Sequence, residues 1–222
     1  MNEQTNYSIK TEIPDICAGI VIAGGCRAEK TTGALLGEVN KTILSAQGRK
    51  DSQFVTGRKT AVRDMLRFGS YRPTGRGKPA SEYLFNAALE GNFPLINNLV
   101  DINNIVSVEF LLPISLIDLD KTGSQNFILR HGKENESYIF NPSGQTIELC
   151  DLLVFSSFPG DTPCGTPIKD SQPTKTDENT KNTIAVIYAP GHLADTAKKA
   201  AEHMSRLLEV HAGAKTEIIM AK

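Results

Sequence analysis

The sequence predicts an α+β domain in which largely antiparallel sheet layers pack against helices. Three observations support this. Short β-branched and apolar runs between residues 127 and 155 are separated by turn-forming residues, a spacing that suits antiparallel hairpins and not βαβ winding. Two longer stretches, 32–46 and 192–209, repeat apolar residues at helical spacing. No internal repeat or strong boundary divides the 222 residues, so the expectation is one domain over 1–222.

Residues 1–15 read as a short tail leading into a strand, Ala18–Ala23, which is bounded by Gly24 and Gly25. These glycines do not form G-x-G-x-x-G, so no dinucleotide site is expected. Leu35, Leu36, Val39, Ile43 and Leu44 mark an amphipathic helix. Arg63 and Arg67 stand one turn apart on a helix that should end near Gly69. A short helix is expected over Ser81–Leu89, with Ser81 as N-cap and Gly91 closing it.

The stretch from Pro94 to Lys121 is the densest in information. From Ile96 to Val106 a helical projection groups Leu99, Ile102 and Val106, with Ile96 and Val100 beside them. Asn103 falls inside that apolar arc. A buried amide without partners costs about 1–3 kcal/mol, so Asn103 must either bond core backbone or line a polar pocket. EFLLPISLID then reads as a buried strand, with Pro113 at an edge, a bulge or a strand start. Alternation places Leu111, Pro113, Ser115 and Ile117 on one side, where Ser115 is the polar member.

Further strands are expected at Phe127–Arg130, Tyr138–Phe140, Ile147–Leu149, Leu152–Phe155, Ile184–Tyr188 and Thr216–Met220. Asn141–Gly144 has turn composition. Residues 157–183 are poor in apolar side chains, but Pro159, Pro163, Pro167 and Pro173 favour an ordered loop. Within it Lys169, Asp170 and Thr174 are possible pocket-rim groups, and Cys164 has no histidine near it in sequence to make it a nucleophile.

Composition narrows the functional classes. The net charge is −1 and 40% of residues are hydrophobic. No run approaches the roughly 18 apolar residues of a membrane helix, and the N-terminal stretch lacks the pattern of a secretory signal. Cys17, Cys26, Cys150 and Cys164 form no CxxC pair, and His131, His192, His203 and His211 show no HExxH spacing. The expectation is a cytoplasmic protein with reduced thiols, no metal and no cofactor. Against the nearly neutral whole, residues 58–78 are strongly basic. Arg58, Lys59, Arg63, Arg67, Arg72, Arg76 and Lys78 face one acid, Asp64, for a local charge of +6. A polyanion partner accounts for such a cluster; so does a solvated basic face offset by acids elsewhere.

The central stretch resembles the editing domain of the phenylalanyl-tRNA synthetase beta subunit. That family typically reads P-I-N-N-V-V-D-V-T-N followed by P-L-H-A-F-D-L-D-K. Here Ile96-Asn97-Asn98-Leu99-Val100-Asp101-Ile102-Asn103-Asn104 precedes Pro113-Ile114-Ser115-Leu116-Ile117-Asp118-Leu119-Asp120-Lys121, with the same gap between the motifs. The resemblance covers roughly Ala18–Tyr188. It implies the α+β fold of that editing domain and a pocket lined by Asn103, Asn104, Pro113 and Ser115. It also implies tRNA or aminoacyl-tRNA as partner, with free amino acid as a further ligand. The sequence departs from the family pattern where chemistry would sit. Asn103 replaces the family threonine, Ser115 replaces the histidine, and Thr183–Tyr188 carries no acid where the family has a glutamate. The expected activity is therefore binding of tRNA, of an aminoacyl group, or of both in an editing-type pocket. The alternatives are a trans-editing hydrolase of mischarged aminoacyl-tRNA and an amino acid sensor.

Overall fold

The computed structural model describes residues 7–221; residues 1–6 of the expected tail lie outside the described residues. The chain runs β1 (Ser8–Thr11), β2 (Ile16–Gly24), α1 (Gly33–Gly48), α2 (Gln53–Leu66), α3 (Ala80–Leu89), α4 (Asn98–Phe110) and β3 (Ile114–Asp118). It continues through α5 (Leu119–Thr122), β4 (Asn126–His131), β5 (Ser137–Ile139), β6 (Thr146–Glu148), β7 (Leu153–Phe158) and β8 (Thr162–Gly165). It closes with β9 (Thr183–Pro190), α6 (Ala194–Ala212) and β10 (Lys215–Ala221). The fold is α+β, as the sequence predicts. No helix among the described residues is long and apolar enough to cross a membrane.

The central sheet has the order β10-β2-β9-β3, antiparallel throughout. Strands β2, β9 and β3 are buried on both faces, so they read as nearly continuous apolar runs. One face carries Val21, Ala185, Ile187, Ile114 and Leu116, and packs against Leu99, Ile102 and Val106 of α4 and Ala197, Ala200 and Met204 of α6. Gly19 of β2 permits the approach of α6: a Cβ there would sit 2.9 Å from the Ala197 carbonyl oxygen. The other face carries Ile20, Ile184, Val186, Tyr188 and Ile117, and meets Phe127, Leu129 and Phe155 of a second sheet. That sheet has the order β1-β4-β7-β8. The molecule is thus helices, sheet and sheet in layers. One pairing departs from the expected antiparallel pattern: β1, within the expected tail, runs parallel to β4.

Two expected boundaries move. The segment from Glu109 does not start a strand. Helix α4 continues to Phe110, and Leu111 takes a left-handed conformation, φ 50°, that ends it. The apolar side chains of this segment serve helix packing, with Val108 and Leu111 buried against Val55 and Phe85. Pro113 then precedes the strand, and its carbonyl accepts the Tyr188 N–H at 3.0 Å. At α3 the N-cap is Pro79 and not Ser81, which is buried inside the helix. The chain is anchored there by the Ala80 N–H donating to the Pro167 carbonyl at 2.9 Å.

Candidate functional site

Helix α4 begins at Asn97, whose side chain accepts the Val100 N–H at 3.0 Å and caps the first turn. Its buried polar residues then divide into two kinds. Asn98 is saturated: its carbonyl oxygen accepts from Glu29 N at 2.8 Å, and its amide donates to the Arg27 and His211 carbonyls at 2.8 and 3.0 Å. Asp101 accepts from Thr31 Oγ1 at 2.6 Å and from Ile96 N at 2.9 Å, although burial holds its pKa above the ordinary value. These two tie the helix to its surroundings. Asn103, 7% exposed, differs. Its Nδ2 donates over a long 3.4 Å to Asn104 Oδ1, and its own Oδ1 is buried with no hydrogen-bond partner among the described residues. Native structures rarely leave such an acceptor unpaired, and an unpaired buried group commonly marks a ligand or water position.

Ser115 lies in β3 between Ile114 and Leu116, which face α4, so its side chain enters the opposite face of the sheet. The sequence suggests that Asn103 and Ser115 flank one pocket; the sheet instead separates them. Ser115 is fully buried and its hydroxyl contacts the Thr166 carbonyl at 3.2 Å and the Tyr188 hydroxyl at 2.9 Å. A serine has one proton, so with that proton shared between the Thr166 carbonyl and the Asp170 carboxylate the Tyr188 hydroxyl is the donor to Ser115. Asp170 completes this cluster. Its Oδ2 accepts the Leu116 N–H at 3.1 Å. Burial pushes its carboxyl up to about 6, and the nearby Ser115 hydroxyl and the Leu116 N–H pull it partly back. Gly165 is required where the loop crosses: a Cβ there would lie 2.6 Å from Ser115 Oγ and 2.9 Å from Asp170 Oδ1.

The loop that bears Asp170 is ordered by its own bonds. Thr166 Oγ1 donates to the Lys169 carbonyl at 2.8 Å and accepts the Lys169 N–H at 3.1 Å. The Tyr138 hydroxyl donates to the same carbonyl at 2.5 Å. Lys175 pairs across from Ile117, so this segment covers the outer edge of β3. Cys164 is buried, and burial raises its thiol pKa, which is the opposite of what a nucleophile needs. Tyr188 gives a weak sequence signal, since a buried tyrosine at the end of an apolar strand must find a partner for its hydroxyl. Asp170 is a possible pocket-rim group in the sequence, but its approach to β3 is not legible there, because it depends on a contact across 54 residues.

The basic stretch is not uniformly available. Arg63 forms a two-pronged bond to Glu82, Nε to Oε1 at 2.6 Å and Nη2 to Oε2 at 2.5 Å, and Glu82 is buried. Arg58 lies against the Phe54 ring and Lys59 against the Phe85 ring, both with pKa values lowered by burial. Arg67 pairs with Asp64 at the surface. Arg72, Arg76 and Lys78 are exposed. Arg72 donates to the Gly69 and Tyr71 carbonyls at 2.9 and 2.8 Å, which orients its guanidinium. Two open surface depressions, of about 470 and 520 Å³, lie elsewhere. One is lined by residues including Cys26, Arg27 and Lys181, the other by residues including Tyr7, Asp120 and Phe158.

A layered α+β fold carrying the Ile96–Asn104 and Pro113–Lys121 motifs at their family spacing is a relative of the phenylalanyl-tRNA synthetase beta-subunit editing domain. The family model of the B3/4 domain matches residues 75–210, and the chain belongs to that family. None of the curated proteins matches the sequence. The matched span differs from the expected one. It takes in most of α6, which the sequence reading places outside, and starts downstream of β2, α1 and α2.

Proposed function

We propose that this protein binds tRNA and an aminoacyl group, with Asn103, Asn104 and Pro113 at the aminoacyl pocket. The exposed cations Arg67, Arg72, Arg76 and Lys78 contact the tRNA backbone. The observation that carries this reading is the unpaired, buried Asn103 Oδ1 within the family motif. An aminoacyl ammonium or hydroxyl would supply the donor that this acceptor lacks. Ser115 takes a supporting role in this reading, holding the 165–170 loop and Tyr188 against β3. Binding is favoured over hydrolysis by the closure of Ser115 beneath Thr166 and Tyr188. Two of the histidines have other contacts: His131 stacks on Phe68, and His203 meets Glu109 at 3.0 Å. A tRNA-binding role would place the protein with the cytoplasmic translation machinery.

Calorimetric titration with a panel of amino acids and stable aminoacyl-adenosine analogues tests the proposal. At least one should bind, and Asn103→Leu should abolish that binding. No binding by any member, or full binding by the variant, would overturn the pocket assignment. Deacylation of mischarged tRNAs by the wild type would replace the binding reading with the hydrolase.

A further inference from the structure

The basic segment holds an aromatic ring presented in an unusual way. Phe68, immediately after α2, is 47% exposed. It stacks in parallel on His131, with ring centroids 3.5 Å apart and planes within 6°. The turn that presents it is fastened. Gly69 adopts φ +46°, and Asp151 accepts both the Ser70 N–H at 2.7 Å and the Ser70 hydroxyl at 2.8 Å. Neighbouring cations flank it: Arg67, exposed and paired with exposed Asp64, and Arg72. Phe54, the exposed aromatic at the other end of α2, already has Arg49 and Arg58 against its ring.

A half-exposed ring backed by a second ring and bordered by arginines has the chemistry of a platform for an unpaired base. Every base offers a π-face, stacking tolerates any sequence, and the adjacent cations meet the phosphates. Because His131 and the Asp151–Ser70 bonds hold the ring in place, little ordering entropy remains to be lost on binding. We infer that Phe68, backed by His131, stacks on an unpaired nucleotide of a bound RNA, with Arg67 and Arg72 on the flanking phosphates. This rests on the tRNA-binding reading and extends it: the segment takes single-stranded RNA in preference to a duplex. Phe68 also lies upstream of the residues matched to the B3/4 family.

The test uses the full chain with tRNA, and with a short adenine-rich single-stranded RNA carrying 2-aminopurine, beside a blunt RNA duplex. The wild type should quench 2-aminopurine fluorescence. Phe68→Ala should weaken single-strand binding by roughly tenfold, remove the quench and leave the salt slope unchanged, since stacking releases no counterions. Phe68→Leu, which keeps apolar volume without an aromatic face, should show the same loss. Arg72→Ala should lower the single-strand salt slope by about 0.7. Wild-type affinity and quench in both Phe68 variants, with tRNA binding and its salt slope intact, would overturn the stacking inference and leave the tRNA reading standing. An equal loss of duplex affinity would also overturn it. Failure of the wild type to bind tRNA at any salt would remove the tRNA reading itself.

Discussion

The Ser115 hydroxyl lies 2.9 Å from the Tyr188 hydroxyl, and both side chains are fully buried. The pair joins β3 to β9 on the face turned away from α4. Ser115 stands where the family resemblance implies a histidine, and its hydroxyl is closed off by the Thr166 carbonyl.

Ser115→Ala leaves the Tyr188 hydroxyl unpaired in the core, at a cost of about 1–3 kcal/mol. Tyr188→Phe costs less, because Ser115 keeps its bond to Thr166. The double variant should be more stable than the sum of the two losses predicts, since the orphaned hydroxyl is gone. Urea unfolding of the four proteins measures this coupling, and strictly additive losses would exclude it.

Asp170 makes stability depend on pH. Its folded pKa, about 6, lies above the ordinary 3.8, so the folded state binds the proton more tightly. The stabilisation is fully present below about pH 3.8 and is lost as pH rises through about 6. Asp170→Asn mimics the protonated carboxyl and still accepts the Leu116 N–H. The urea midpoint of the variant should therefore change less than that of the wild type between pH 4 and 6, the approximate range where this group titrates.

Asn103→Leu should leave stability nearly unchanged, because it removes an acceptor that has no partner among the described residues and loses only the long bond to Asn104. The unfolding free energy of the unliganded protein reports this separately from ligand binding. A loss of several kcal/mol would mean that Asn103 is a satisfied core residue.

The two kinds of arginine in the basic segment should separate cleanly. Arg63→Ala strands the buried Glu82 carboxylate and should cost about 2 kcal/mol of stability. Arg76→Ala and Lys78→Ala should leave stability within about 0.5 kcal/mol. Each should lower the salt slope of tRNA binding by about 0.7–0.9. Thermal melts and filter binding from low to high salt distinguish the two classes.

Much of the fold was legible because its signals are local. The apolar runs of β2 and β9, the turn at Asn141–Gly144 and the helical spacing of α1 and α6 each need only a short window of sequence. The boundary at Glu109–Leu111 was not legible. An apolar run suits a buried helix end as well as a buried strand, and packing against Val55 and Phe85 decides between them. The pairing of β1 with β4 joins segments more than a hundred residues apart, and no local pattern encodes it.

The sequence by itself determined the family, through motif residues in a spacing that survives without the structure. It also determined that Asn103 interrupts an apolar arc and that residues 58–78 concentrate positive charge. Tertiary structure decided which of these groups are available. The pleat of β3 turned Ser115 to the face away from Asn103, because successive side chains on a strand point to opposite sides. The fold brought Glu82 to Arg63 and Asp151 to Ser70, and so consumed one arginine while fixing Phe68 in the open. Those outcomes depend on contacts between distant segments, whose geometry exists only once the sheet and helices have packed.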